Sequence, residues 1–173
     1  MKSKDILPTG IERELREGDY IVSTTDLAGR ITSVNPVFVE FSGFSEEQLL
    51  SRPHNIIRHP DMPRAVFWLA WEAIRNGDDF QGYVKNMARD GSHYWVFAHI
   101  RPEYDEGGRP TGYRSVRRRP RREAVLKAAE LYARMRSAEE LAGPAKAVQA
   151  GLEVLRETLA ARGQSYEEFV STL

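Results

Sequence analysis

The stretch FQGYVKNMARDGSHYWVFAHIRP, residues 80–102, constrains this chain more than any other. FQGYVKNMA and SHYWVFAHIRP are extended runs rich in aromatic and β-branched residues. Asp90-Gly91 between them is the signal for a two-residue type I′ turn, whose left-handed backbone suits Asp-Gly and whose twist matches that of paired strands. Upstream, DYIVSTTD and RITSVN, divided by Leu-Ala-Gly, read as two short strands joined by a tight turn. Downstream, EYDEGGRPTG forms a longer turn into a last strand, YRSVRRR. Two strands, several helices and three strands predict an α+β domain: a five-stranded antiparallel sheet with short helices gathered on one face.

The segments between the strands carry helix punctuation. In NPVFVEFSGFSEEQLL, Asn35 and Pro36 start a helix, Gly43 stops it and Ser45 caps a second. Asp61 as N-cap, Pro63 in the first turn and the apolar positions Val66, Phe67, Leu69, Ala70, Ala73 and Ile74 mark a helix of about four turns that ends at Asn76-Gly77. Thr9 and Glu12 have capping-box spacing and predict a short helix or ordered cap before Gly18.

Beyond Pro120 the composition turns to Ala, Glu, Leu and Arg. EAVLKAAELYARM is amphipathic, Gly143-Pro144 breaks it, and Val148, Leu152, Leu155 and Leu159 form an apolar seam on the next helix. SYEEFVSTL carries a further cap signal. The seam needs a partner, either the domain itself or a second copy of the chain. The expected organisation is an N-terminal cap over residues 1–18, a sensor domain over 19–119 and a helical extension over 120–173.

Composition narrows the chemistry. Twenty-five basic and 25 acidic residues cancel, so no overall field draws the chain to nucleic acid or anionic lipid. The run RSVRRRPRR, lacking interleaved aromatics, reads as a solvated strand end and linker. The absence of cysteine removes disulfides, thiolate metal sites and cysteinyl photoadducts. No apolar run reaches the length of a membrane span, and MKSKDILPTG lacks a signal-peptide core, so a cytoplasmic protein is expected. Four histidines, with no carboxylate or third imidazole at ligand spacing beside either pair, predict no metal site. His93 and His99 read as polar groups on the sheet surface, and Trp68 as a core residue.

Three segments together resemble one family. STTDLAGRITSVNPVFVEFSGFS, RPHNIIRHPDMPRAVFWLAW, and YVKNMARDGSHYWVFAHIRP with TGYRSVR are similar to the PAS sensor domains over residues 19–119. FSGFS and DGSHYWV match PAS domains broadly. PHNIIRHPDMP is narrower and resembles the FAD-binding domain of bacterial aerotaxis receptors. The resemblance implies cofactor binding by Asn35, His54, Arg58, His59, Asp61, Phe67 and Asn86. Phe80 stands where that pattern usually has Trp, and the family's membrane anchor and chemotaxis signalling domain have no counterpart after residue 120.

The residue chemistry agrees with a flavin, which needs apolar walls, cations or N–H groups for its phosphates, and polar groups at the ring edge. Arg58 and His59 can meet phosphate. Phe67 and Trp71, four apart, share a helix face and can wall a pocket. Asn86 lies on the same side of its strand as Phe80, where an amide can read a ring edge. The expected protein is a non-enzymatic sensor that binds FAD, follows redox state or oxygen supply, and signals to a separate partner, with homodimerisation through the cap or the C-terminal helices as an option. Two other readings compete. A haem gas sensor would use His54 or His59 as axial ligand, and a ligand-free interaction module would fill its pocket with Phe67, Phe80 and Trp71.

Overall fold

The computed structural model describes residues 6–173; the first five residues of the expected N-terminal cap lie outside the described part. Strands β1 (Tyr20–Thr25), β2 (Ile31–Val34), β3 (Phe80–Met87), β4 (His93–Tyr104) and β5 (Pro110–Arg118) form one sheet in the order β2-β1-β5-β4-β3, with every neighbouring pair antiparallel. Helices α1 (Pro36–Ser42), α2 (Glu46–Leu49) and α3 (Arg64–Arg75) join β2 to β3, with a 3-10 turn over His54–Ile57 between α2 and α3. This is the predicted α+β arrangement. The strand register sets Ile21, Ser23, Tyr113, Ser115, Arg117, Tyr94, Val96, Ala98, Phe80, Gly82, Val84 and Asn86 on the inner, helix-covered face. Phe38, Phe41, Phe44, Leu49 and Ile57 are buried in the core with them.

Local chemistry explains the early helices. The Asn35 side chain accepts from the Phe38 N–H, Gly43 takes the left-handed conformation that ends α1, and Ser45 and Gln48 cap α2 reciprocally. Two other local expectations change. Asp90-Gly91 is not a type I′ turn, since Ser51 is the one non-glycine with positive φ among the described residues. Instead Ala88 donates to the Ser92 carbonyl and Gly91 to that of Ala88, and Gly91 alone is left-handed, giving a three-residue loop. The N-terminal segment forms no helix at Thr9. It runs extended beside the sheet, where Thr9 donates to Gly91, Arg13 to His93, and His93 to Ile11. A Cβ on Gly91 would stand 2.2 Å from the Leu7 carbonyl oxygen, so a larger turn residue would push this cap away.

The largest correction concerns α3. Its N-cap residue is Pro63, which offers no side-chain bond, and Asp61 instead pairs with Lys85 at 2.7 Å. The cap comes from far along the chain: Glu139 accepts from the Arg64 and Ala65 N–H groups, both at 2.9 Å. Glu139 belongs to α4 (Arg122–Ala142), which forms a hairpin with α5 (Ala147–Arg162), followed by α6 (Tyr166–Thr172). Gly143 precedes Pro144 at the break, and Gly163, left-handed, closes α5.

The hairpin packs on the domain. Helix α5 lies against α3 and α6 against β3, and Leu152 and Leu155 of the seam are buried, with Val148 and Leu159 packed beside the core. Tyr132 stacks on Trp95 and donates to the Tyr83 carbonyl at 2.8 Å. The apolar seam is therefore covered within the chain. Trp68, expected in the core, is 43% exposed, because it lies on the side of α3 away from the sheet.

Candidate functional site

A polar cluster occupies the inner sheet face beneath the helices. Arg117 of β5 is buried; its Nε donates to Ser115 Oγ at 3.0 Å, one Nη donates to Ser23 Oγ at 2.9 Å and also meets His54 Nε2, and its guanidinium lies over the Phe38 ring. Its other Nη is buried without a partner. Burial lowers the Arg117 pKa to about 10, so the group stays charged at neutral pH. Burial first, and the Arg117 charge second, push His54 well below the usual imidazole range, so its ring is neutral.

Asn86 and Tyr94 face each other across the β3–β4 pair on this same inner face. Both are buried, and both present unpartnered polar atoms, Asn86 Nδ2 and the Tyr94 hydroxyl. Leaving a buried donor unsatisfied costs about 1–3 kcal/mol. Three such atoms on one face, one of them on a buried cation, are polar groups arranged for something other than the fold. They fit the polar rim of a planar heteroaromatic ring, whose carbonyl oxygens accept and whose nitrogens accept or, when protonated, donate. Phe80, on the same face at the other end of β3, is buried and stacks on Tyr166 of α6.

The loop over residues 52–63 is pinned between this face and the surface. Pro53 bridges to Arg30, and Arg58 bridges to Asn86, so the backbone of the loop extends the β3 edge at the position of the candidate ring reader. The Arg58 guanidinium donates to the Met62 carbonyl at 3.1 Å and lies 4.3 Å from the Phe67 ring centre. It also lines an open groove of about 1370 Å³, shared with Arg52, Arg64 and Arg136 and with Glu139 and Glu140. Arg58 thus touches the β3 edge through its backbone and a surface groove of mixed charge through its side chain. Burial lowers its pKa somewhat from the ordinary arginine value.

The other predicted residues fall in different places. His59 is buried on the opposite side of the β3 edge, where its Nδ1 accepts from the Asp61 N–H and its ring meets His93. Burial, reinforced by the Lys85 charge, lowers its pKa to about 4, so His59 is neutral and offers no positive charge to a phosphate. Asp61 faces the same side and is used by Lys85. Asn35 engages its whole amide in the fold: Oδ1 accepts from Phe38 and Val22, and Nδ2 donates to the Tyr20 carbonyl. Trp71 meets Tyr113 edge-on, with Gly29 packed against its indole. The structure therefore sets His54, Asn86 and Phe80 on the inner face, with Phe80 about 20 Å along β3 from Asn86, keeps Arg58 and Phe67 at the β3 edge, and leaves His59, Asp61 and Asn35 apart from them.

Sequence reasoning missed Tyr94, Arg117, Ser23 and Ser115. The signal was present as period two in TGYRSVR, which sets Tyr113, Ser115 and Arg117 on one face, and as the hairpin register, which sets Tyr94 opposite Asn86. An inward arginine was hidden inside a basic run that otherwise behaves as expected, with Arg119 paired to Glu14 and Arg122 to Glu12. His93, expected as a polar group on the sheet surface, is instead covered by the N-terminal segment, which leaves its Nδ1 buried. His99 bonds Asp79 at 2.6 Å. Among the described residues, no group of three or more His, Asp or Glu side chains is placed to hold a metal ion, and no helix is long and apolar enough to cross a membrane.

A family model described as the PAS fold matches residues 31–117. The chain is similar to the aerotaxis receptor of Escherichia coli (strain K12), 41% identical over 118 residues, which are 68% of this chain and 23% of that protein. It is also similar to the nitrogen fixation regulatory protein of Klebsiella pneumoniae, 28% identical over 104 residues, 60% of this chain and 21% of that protein. The chain thus spans less than a quarter of each of these relatives. Among solved structures, the PAS domain of a Colwellia psychrerythraea protein superposes with a TM-score of 0.54 at 24% identity, covering 58% of this chain and 86% of that one.

Proposed function

Because this chain belongs to the PAS fold family, we propose that it is a sensor whose domain, the unit over residues 19–119, holds FAD without a covalent bond and reports redox state or oxygen supply to a separate signalling partner. The observation that carries this reading is the set of unpartnered buried polar atoms on the inner face: Asn86 Nδ2, the Tyr94 hydroxyl and one Nη of Arg117. The likeness to an aerotaxis receptor, together with the PHNIIRHPDMP segment, supports a flavin as the ring that meets them.

In this reading Asn86 and Tyr94 would address the polar edge of the ring. Arg58 holds the phosphates where the groove opens. Bound flavin supplies reversible electron uptake with a change in ring protonation. The chain's own part would be the response: the Asn86 amide is free to turn between donating and accepting at the ring edge, and the backbone of the same residue is bridged to Arg58 of the loop. Arg117, a buried cation with no carboxylate among its hydrogen-bond partners, favours an electron-rich ring beside it.

A haem site is the weaker reading, since His54 Nε2 is engaged by Arg117 and Ser23, and the His59 Nδ1 accepts from the Asp61 N–H. The sensor acts without turnover, in the cytoplasm. Heat-denatured protein should release an intact flavin whose mass identifies FAD. Release of haem, or failure of the protein to take up added FAD, would overturn the proposal.

A further inference from the structure

Glu139 is a buried carboxylate, 5% exposed, on a helix that lies outside the sheet domain. It accepts from two backbone N–H groups in the first turn of α3, 74 and 75 residues away in sequence. No local side chain caps that turn. The fit is close enough to need a glycine on the facing helix: a Cβ on Gly151 of α5 would stand 2.5 Å from Glu139 Oε1 and 2.8 Å from the Ala65 Cβ.

We propose that Glu139 is a latch: it holds the α4–α5 hairpin on the domain through the N-terminus of α3, and its grip responds to the state of the loop that precedes α3. The connection is short and made of named contacts. Asn86 bridges to Arg58, Arg58 donates to Met62, the Lys85 N–H points at the Met62 sulfur at 3.2 Å, and Arg64 follows two residues later with the N–H that Glu139 holds. A shift of the Asn86–Arg58 pair moves the first turn of α3 relative to the hairpin, and a charge-assisted bond with two fixed donors tolerates little misalignment. The direction in which occupancy acts rests on the flavin reading; the latch itself does not.

Hydrogen exchange of the ligand-free protein tests the latch. Glu139→Gln replaces one acceptor oxygen by a donor facing an N–H, and Gly151→Ala disturbs the same contact while keeping the charge. Each should speed exchange in α4 and α5 at least tenfold with β4 and β5 unchanged, while Glu140→Gln, an exposed neighbour paired with Arg136, should leave exchange alone. Unchanged exchange in both variants, or equal acceleration throughout the sheet, would overturn the latch. Coupling to the site is reciprocal: the factor by which FAD alters hairpin exchange in wild type must equal the factor by which hairpin release alters FAD affinity. Measurable FAD binding that leaves hairpin exchange unaltered would refute the coupling. If FAD binds no variant and not the wild type, the flavin reading fails and the ligand-free experiment still decides the latch.

Discussion

Replacing Asn86 by Leu should stabilise the empty protein and weaken its hold on FAD, a pairing of signs that a purely structural asparagine cannot give. Asn86 is 4% exposed, and its Nδ2 is buried without a partner. Removing that donor relieves a penalty of about 1–3 kcal/mol, and leucine keeps the branched outline of asparagine while burying additional apolar surface on the same face. For a chain of this size each kcal/mol raises the melting temperature by about 2–4 °C, so thermal unfolding of the ligand-free variant should rise by several degrees. In the loaded protein the variant loses the ring-edge bond and leaves a polar ring atom facing a methyl group. FAD affinity should fall at least tenfold, or about 1.4 kcal/mol. Differential scanning calorimetry of the empty proteins and a fluorescence titration with FAD measure the two quantities. A variant that melts lower than wild type, or binds FAD equally well, would refute the reasoning.

Arg58→Ala should weaken FAD binding by about 1.5–3 kcal/mol, the range of a charge-assisted hydrogen bond, and lower ligand-free stability by about 1 kcal/mol through loss of the Phe67 and Met62 contacts; an unchanged dissociation constant removes its phosphate role. Stability should fall as pH drops from about 6.5 toward 4. His59 is held neutral in the fold, with a pKa of about 4, while the unfolded chain takes up its proton near the ordinary value, so the loss reaches about 1.4 kcal/mol per pH unit. Above that window the contribution is complete, and urea unfolding should show a flatter acid limb in His59→Asn. Leu152→Asp with Leu155→Asp should release the C-terminal helices to proteolysis, since both leucines are buried within the chain; intact, protease-resistant helices would contradict the packing.

The elements legible in the sequence are those governed by neighbours in sequence. Asn35, Gly43 and Ser45 act over three or four residues, and their capping roles could be read directly. The five-stranded antiparallel sheet also followed, because the strand groups on either side of the early helices and the long β3–β4 hairpin leave few arrangements. Asp61 was the natural local candidate for the α3 cap, and a carboxylate 74 residues away was invisible to any local rule. Lys85, across the β3 edge, claimed Asp61 instead. The Asp90-Gly91 turn failed for a similar reason, since the N-terminal segment lies on it and donates to Gly91. At the candidate site, Asn86 and Phe80 were recoverable from strand period. The neutrality of His54 and His59 was not, because it arises from burial and from cations brought close only by folding.

The most direct measurement is the absorption spectrum of the purified protein, followed through anaerobic reduction and return to air. A flavin held against Asn86, Tyr94 and Arg117 predicts a yellow protein with flavin bands that bleach on reduction and recover with oxygen, and the same bands should develop when stripped protein is given FAD. A Soret band, or a colourless protein that gains no flavin absorbance with FAD, would contradict the account.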